Sequence, residues 1–244
     1  MKGILFNTEM VQAIISGKKT VTRRVVKQKY DNTELKMKTD KYGTYLVEIE
    51  KDVEGVTYGK RKDGTPWRKI RGYITPKPPY QKYDFLYVRE TWNTAKGSGL
   101  FPNWQVEGEH YIYKADAPDS EEAKAAKWRP AIHMPRKAAR IFLLVTDVRV
   151  ERLQEITEED IRNEGIDSGI TLCSFNDQSI NEPVGGFKDF FHLWNSTIPK
   201  KDLAQYGWKA NPWVWVIEFQ VLDIEDKSAF ADHDTSYGGL QSAT

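Results

Sequence analysis

Apolar and polar residues recur along this chain with two periods, and each period predicts an element. Ile4-Leu5-Phe6 is a short apolar run that reads as a strand. Asn7 or Thr8 follows, and either side-chain oxygen can accept an otherwise unpaired N–H at a helix start. Met10, Val11, Ile14 and Ile15 then share one helical face, and Gly17 ends the helix. Thr20 to Val26 is β-branched and alternating, so Thr20, Thr22 and Arg24 face one way and Val21, Arg23 and Val25 the other. Phe85 to Trp92 reads as the next core strand and Arg140 to Leu153 as a long one. Thr157-Glu158-Glu159-Asp160 is a capping box with Asp where Glu or Gln is usual, opening a helix that runs to Glu164 and stops at Gly165. Phe187, Phe190, Phe191 and Trp194 stand at i, i+3, i+4 and i+7 and predict an amphipathic helix. Trp213, Trp215, Ile217, Phe219 and Val221 alternate with Val214, Val216, Glu218 and Gln220 as a closing strand.

Two stretches interrupt this pattern. Residues 27–79 are basic and turn-rich, with a turn at Asp63-Gly64-Thr65-Pro66 and strand-like pieces at Thr44–Glu50 and Ile70–Ile74. They read as a hairpin-bearing insertion closed by Pro76, Pro78 and Pro79. Residues 93–135 form a second irregular insertion with Tyr111-Ile112-Tyr113 and a short helix near Ser120–Lys127. From about residue 225 to 244 the chain is small, polar and aperiodic, which predicts a disordered tail. The element order predicts one α+β domain over residues 1–224: a small mixed, mostly antiparallel β-barrel with flanking helices and the two insertions. Strand and helix do not alternate regularly enough for a parallel doubly wound sheet.

Composition narrows the partners. Charged residues make up 29% of the chain but nearly cancel to +1, so any contact with nucleic acid must be local rather than a bulk electrostatic effect. Cys173 is the only cysteine, which rules out an internal disulfide. The first residues lack a signal-peptide core and no apolar run is long enough for a bilayer, so a cytoplasmic location without membrane contact is expected. His110, His133, His192 and His233 have no metal-ligand spacing, and neither a metal nor another cofactor is expected. Lys60, Arg61, Lys62, Arg68, Lys69 and Arg71 around Trp67 are a candidate wing for RNA phosphates, diluted by acidic neighbours such as Asp63.

The most informative short stretch is Gly17-Lys18-Lys19-Thr20-Val21-Thr22-Arg23-Arg24. It is not a phosphate-binding P-loop: Gln12 stands where a glycine is needed, and a strand follows where a helix should. It supplies a lysine at a helix-to-strand turn and a hydroxyl three residues later. A lysine in a dry pocket beside another cation loses preference for its charged form and can take a proton from a hydroxyl. A basic turn leading into an ordinary strand accounts for the same residues.

The stretch from Gly17 to Arg24 resembles the signature of the ASCH family. Tyr83-Asp84-Phe85-Leu86-Tyr87-Val88-Arg89-Glu90 is similar to the family's second barrel strand, with Tyr83 where a glycine usually stands. Val145 to Val150 and Trp213 to Phe219 resemble its two later strands, and the segment Trp128 to Arg136, together with the insertions, resembles longer members often encoded by phages and prophages. The resemblance implies a PUA-like fold and a pyrimidine nucleoside or RNA as partner. It further implies hydrolysis of N(4)-acetylcytidine by a lysine, a threonine and a glutamate, which fall on Lys19, Thr22 and, through the Thr157 to Glu164 stretch, Glu164. Lys19 would act as general base toward Thr22 or directly toward water, and Glu164 would hold the lysine or pass a proton to the leaving amine.

Candidate substrate-binding residues follow from position. Arg24 suits a phosphate or base edge, Glu90 and Trp92 share a strand face, and His133 and Arg136 could meet a phosphate. Trp92 reads equally as core, and His133 as a hydrogen-bonded loop residue. Glu164 at a helix C-terminus is poorly placed against the helix dipole unless a cation such as Lys19 or Arg24 compensates it. A non-catalytic RNA or modified-base binding module, or an RNA nuclease, remains the alternative to hydrolysis.

Overall fold

Five strands form the central sheet of the computed structural model, which describes residues 1–30, 33–41, 43–50, 59–60, 66–67, 75–95, 98–99, 110–116, 119–166 and 186–222. Strand β1 (Lys2–Leu5) leads into helix α1 (Thr8–Ile15), where the Asn7 side chain caps the first turn by accepting the Met10 N–H at 2.8 Å. Gly17 takes a left-handed φ of 73° and lets the chain turn back, so that Lys18 and Lys19 donate their N–H groups to Ala13 O. Strand β2 (Val21–Val25) follows at once.

The first insertion holds a hairpin of β3 (Thr33–Asp40) and β4 (Gly43–Glu50), and a second short pair, β5 (Gly59–Lys60) and β6 (Pro66–Trp67). The long hairpin is tied to the sheet by the Trp213 indole N–H, which donates to Leu35 O at 3.0 Å. The expected turn at 63–65, the strand-like piece at 70–74, most of the basic wing, Cys173 and the tail from 225 all lie outside the described residues.

Strand β7 (Phe85–Arg89) ends earlier than the apolar run suggests. Trp92 opens a separate strand, β8 (Trp92–Thr94), which pairs with β9 (Tyr111–Tyr113). Helix α2 (Glu121–Ala125) lies in the second insertion. Strand β10 (Phe142–Arg152) leads to α3 (Glu158–Asn163), whose predicted capping box forms between Thr157 and Asp160. Helices α4 (Gly186–Thr197) and α5 (Leu203–Tyr206) precede the last strand, β11 (Trp213–Leu222).

The sheet order is β1-β7-β10-β11-β2. The β1–β7 ladder is parallel and the other three are antiparallel. The α+β class and the mostly antiparallel sheet agree with expectation. The sheet is open, however, where a closed barrel was expected: no ladder joins the outer strands β1 and β2. A side chain bridges them instead, with Arg24 donating to Leu5 O at 2.8 Å.

Both faces of the sheet are covered. On one, Val11 and Ile14 of α1 pack with Ile4, Phe6, Val88, Leu143, Ile217 and Phe219. On the other, Ile161 of α3 and Phe190 and Trp194 of α4 pack on Val21, Val214 and Val216. This explains why β11 buries residues of both parities, since a strand between two apolar layers has no solvent face. Among the described residues, no helix is long and apolar enough to cross a membrane.

Candidate functional site

The end of α1 and the end of α3 meet at the start of β2. Lys19 and Glu164 form an isolated antiparallel bridge, and Thr20 N–H donates to Asn163 O at 2.8 Å. This backbone contact delivers the Lys19 side chain to Glu164, 145 residues away in sequence. The Lys19 ammonium donates to Glu164 Oε2 at 2.5 Å and to the Glu164 carbonyl at 2.9 Å. Gly165 makes the approach possible: its φ is 86°, and a Cβ there would stand 2.6 Å from Ala13 Cβ and 3.0 Å from Lys19 Cβ.

The pair is sealed from solvent, Lys19 being 0% and Glu164 4% exposed. Arg23 supplies a second cation, with Nη1 at 3.2 Å from Glu164 Oε1, while its Nη2 reaches Glu151 at 2.7 Å and Asp160 at 3.2 Å. The compensating cations on Glu164 are therefore Lys19 and Arg23; no ion pair joins Glu164 to Arg24 among the described residues. Alternation had set Arg23 on the far side of the strand. It is on that side, but so is α3, and the long guanidinium reaches the helix C-terminus from beneath.

Burial pushes the Lys19 ammonium below its ordinary value of 10.5. The charge and hydrogen bond of Glu164 oppose this, and the positive charges of Arg24 and Arg23 add to it. Lys19 also lies over the Phe6 ring, 5.8 Å from its centroid, with the Arg24 guanidinium at 5.4 Å from the same ring.

Thr22 sits on the same β2 face as Arg24, opposite Ile217 in the ladder, and is 2% exposed. Its hydroxyl makes no hydrogen bond to any described residue, Lys19 included. Lys19 and Glu164 are thus in direct contact, while Thr22 is enclosed on the adjoining strand face without a bond to either.

Arg24 connects this cluster to a cleft of about 600 Å³. Trp215, which faces Arg24 across the β2–β11 ladder, and Tyr80, which donates to Gly3 O at 3.0 Å, form its aromatic walls. Lys27, Lys29, Glu48 and the segment from Thr75 to Lys77 also line it. Pro79-Tyr80, directly after Pro78, and a tryptophan facing an arginine across a ladder were available in the sequence, but only the register shows that they meet.

The other expected binding residues lie elsewhere. Glu90, 1% exposed, is clamped by Arg140, with Nε at 2.9 Å and Nη2 at 3.1 Å. Arg140 also reaches Asp116 at 2.6 Å and stacks 3.9 Å from the Tyr113 ring centroid. Burial raises the Glu90 carboxyl, although Arg140 opposes it, and burial pushes the Tyr113 phenol up to about 12. Trp92 packs with Met134, Ala138 and Phe142 and has Arg129 over its ring at 5.3 Å. His133 is exposed and Arg136 half-buried in the short turns on either side of Met134. Because β7 stops at Arg89, Glu90 and Trp92 leave the shared strand face expected of them. Among the described residues no hydrogen bond or ion pair joins Glu90, Trp92, His133 or Arg136 to Lys19, Thr22 or Glu164.

Among the described residues no group of three or more His, Cys, Asp and Glu side chains is arranged to hold a metal ion. No family model matches the chain, and no curated protein and no solved structure matches it.

Proposed function

We propose that this chain is a cytoplasmic amidohydrolase of the ASCH type, with a PUA-like core, that removes the acyl group from N(4) of an acylated cytidine. The observation that carries the reading is the enclosed contact of Lys19 with Glu164 at the start of the strand that carries Thr22, a buried threonine whose hydroxyl has no partner among the described residues. A lysine whose charged form is opposed by burial is suited to accept a proton. Glu164, gripped by Lys19 and Arg23 together, fixes the amine in place.

In this reading the Lys19 ammonium passes a proton to Glu164 Oε2, 2.5 Å away, and the amine so freed takes the proton of Thr22 Oγ1 through one bridging water as the oxygen adds to the acyl carbonyl carbon. The C–N(4) bond then breaks as Lys19 returns the proton to N(4), giving cytidine and an acyl-threonine ester. A second water, deprotonated by the same lysine, cleaves the ester to the carboxylic acid and restores Thr22. With water as the first nucleophile the same proton route yields the same products in one step. Arg24, which lines the cleft and shares the Phe6 ring with Lys19, supplies positive charge for the developing oxyanion.

One observation favours a second reading. Lys19 is wholly enclosed and its ammonium already donates to two oxygens of Glu164, as a structural brace would. The cleft then belongs to a non-catalytic module that binds a nucleobase. Incubation with N(4)-acetylcytidine followed by chromatography separates the two. Hydrolysis predicts equal amounts of cytidine and acetate, abolished in Lys19→Met whichever nucleophile attacks and in Thr22→Val where the threonine does. Binding without product selects the module, and neither binding nor product removes both.

A further inference from the structure

The cleft beyond Arg24 carries more positive charge than a neutral nucleoside calls for. Lys27, Lys29 and Lys77 are all exposed and line it together with Arg24, while Glu48 is the one acidic residue among the described lining side chains. Glu48 offsets part of the Lys29 charge but directs its hydrogen bonds to the chain around it. Its carboxylate accepts the N–H of Lys29 at 2.9 Å, the N–H of Tyr30 at 2.8 Å and the hydroxyl of Thr33. Glu48 therefore pins the backbone of the loop that carries Lys27 and Lys29. No described carboxylate forms an ion pair with Lys27, Lys29 or Lys77.

The arrangement has an order. Trp215 and Tyr80, which also pack on the core, bring aromatic rings of the kind on which a base stacks, Arg24 lines the cleft and shares the Phe6 ring with Lys19, and the three lysines are exposed to solvent. At about 600 Å³ the cleft falls within the range of roughly 300–1,000 Å³ usual for small-molecule sites. A nucleoside alone leaves the three lysines without an ion-pair partner among the described residues; a phosphate on the ribose supplies one.

We infer that the cleft takes a phosphorylated pyrimidine nucleotide in preference to the free nucleoside, with the base against Trp215 and Tyr80 and the phosphate against Lys27, Lys29 and Lys77. This rests on the reading of the cleft as a nucleoside site and adds the phosphate to it. A ribonucleotide strand also presents phosphates, but the cleft offers one aromatic platform beside one group of exposed lysines, which fits a single nucleotide.

Titration calorimetry with cytidine, cytidine 5′-monophosphate, inorganic phosphate and a cytidine trinucleotide tests this on the full chain. The monophosphate should bind about tenfold more tightly than cytidine, the gain expected of a charge-assisted contact, and the ratio should shrink as salt is added. In the triple variant Lys27→Ala/Lys29→Ala/Lys77→Ala the ratio should fall to about one. Lys124→Ala on α2, where the lysine pairs with Glu121 at the surface, should leave the ratio unchanged. Equal affinity for cytidine and its monophosphate overturns the phosphate assignment and leaves the nucleoside reading standing. Monophosphate affinity no better than that of inorganic phosphate overturns it as well. A trinucleotide that binds more than about tenfold more tightly than the monophosphate replaces the mononucleotide by a strand. If neither cytidine nor its monophosphate binds, the nucleoside reading itself fails.

Discussion

Replacing Glu164 by glutamine removes the carboxylate shared by Lys19 at 2.5 Å and Arg23 at 3.2 Å; Arg23 keeps Glu151 and Asp160, so Lys19 is the cation left stranded. Breaking a buried ion pair by neutralising one member costs about 3–5 kcal/mol, because the remaining charge is stranded away from water. For a domain of this size that is a fall in Tm of roughly 6–20 °C. Lys19→Met is milder: it removes one cation and its hydrogen bonds, but Arg23 still holds Glu164, so about 1–3 kcal/mol is expected. Since the two side chains share one contact, the double variant should be less destabilised than the sum of the singles by at least about 1 kcal/mol. Urea unfolding followed by tryptophan fluorescence, with midpoints and slopes fitted for all four proteins, gives these differences. Additivity within about 0.5 kcal/mol, or a lysine variant less stable than the glutamate one, would refute the claim that Glu164 is the shared counter-charge.

Other consequences are smaller in scope. Thr22→Val should leave stability within about 1 kcal/mol of wild type, because the hydroxyl it removes has no partner among the described residues, while cutting cytidine release by about a hundredfold or more; thermal unfolding and chromatography on the same samples check both. Gly165→Ala should destabilise by about 2 kcal/mol or more, since the added Cβ meets Ala13 and Lys19 in a left-handed backbone. Gly17→Ala, left-handed but with nothing within 4 Å, should lose only about 1 kcal/mol in the same assay. Glu48 is raised by burial, but its bonds from Thr33, Lys29 and Tyr30 outweigh this and hold it below its ordinary value of 4.5. The unfolded chain therefore takes up that proton first, so the stability it contributes is present above 4.5 and lost as pH falls through the lower folded value. The stability gap between wild type and Glu48→Gln, measured by urea midpoints from neutral to acid pH, should narrow below that point.

The sheet and its helices were legible wherever one face met a core. The α1 stripe with its Asn7 cap, the Thr157 capping box and the alternation of β11 each carry a periodic or capping signal. Strand β3 carries none, because Thr33 is its only buried residue and a strand exposed on both sides needs no apolar alternation. The run from Phe85 to Trp92 looked like one strand because apolar content does not mark where pairing stops. Glu90 turns its N–H to Met134 Sδ at 3.2 Å, and Trp92 joins another ladder.

At the site, Lys19 and Glu164 were singled out together by the motif resemblance, and the helix end that leaves Glu164 in want of a cation pointed the same way. The part of Arg23 could not be anticipated, since strand alternation says which side a residue faces and not which helix end waits there. The aromatic walls depend on register and on the packing of an insertion, both set by contacts far apart in the chain.

A crystal structure of Thr22→Val grown with N(4)-acetylcytidine tests the central claim most directly. The account predicts the base between Trp215 and Tyr80 and the acyl carbon about 3–3.5 Å from the side chain at position 22, on the Lys19 side. A ligand bound beside Glu90 and Trp92, or a base in the cleft with its acyl group pointing away from Lys19, would contradict it.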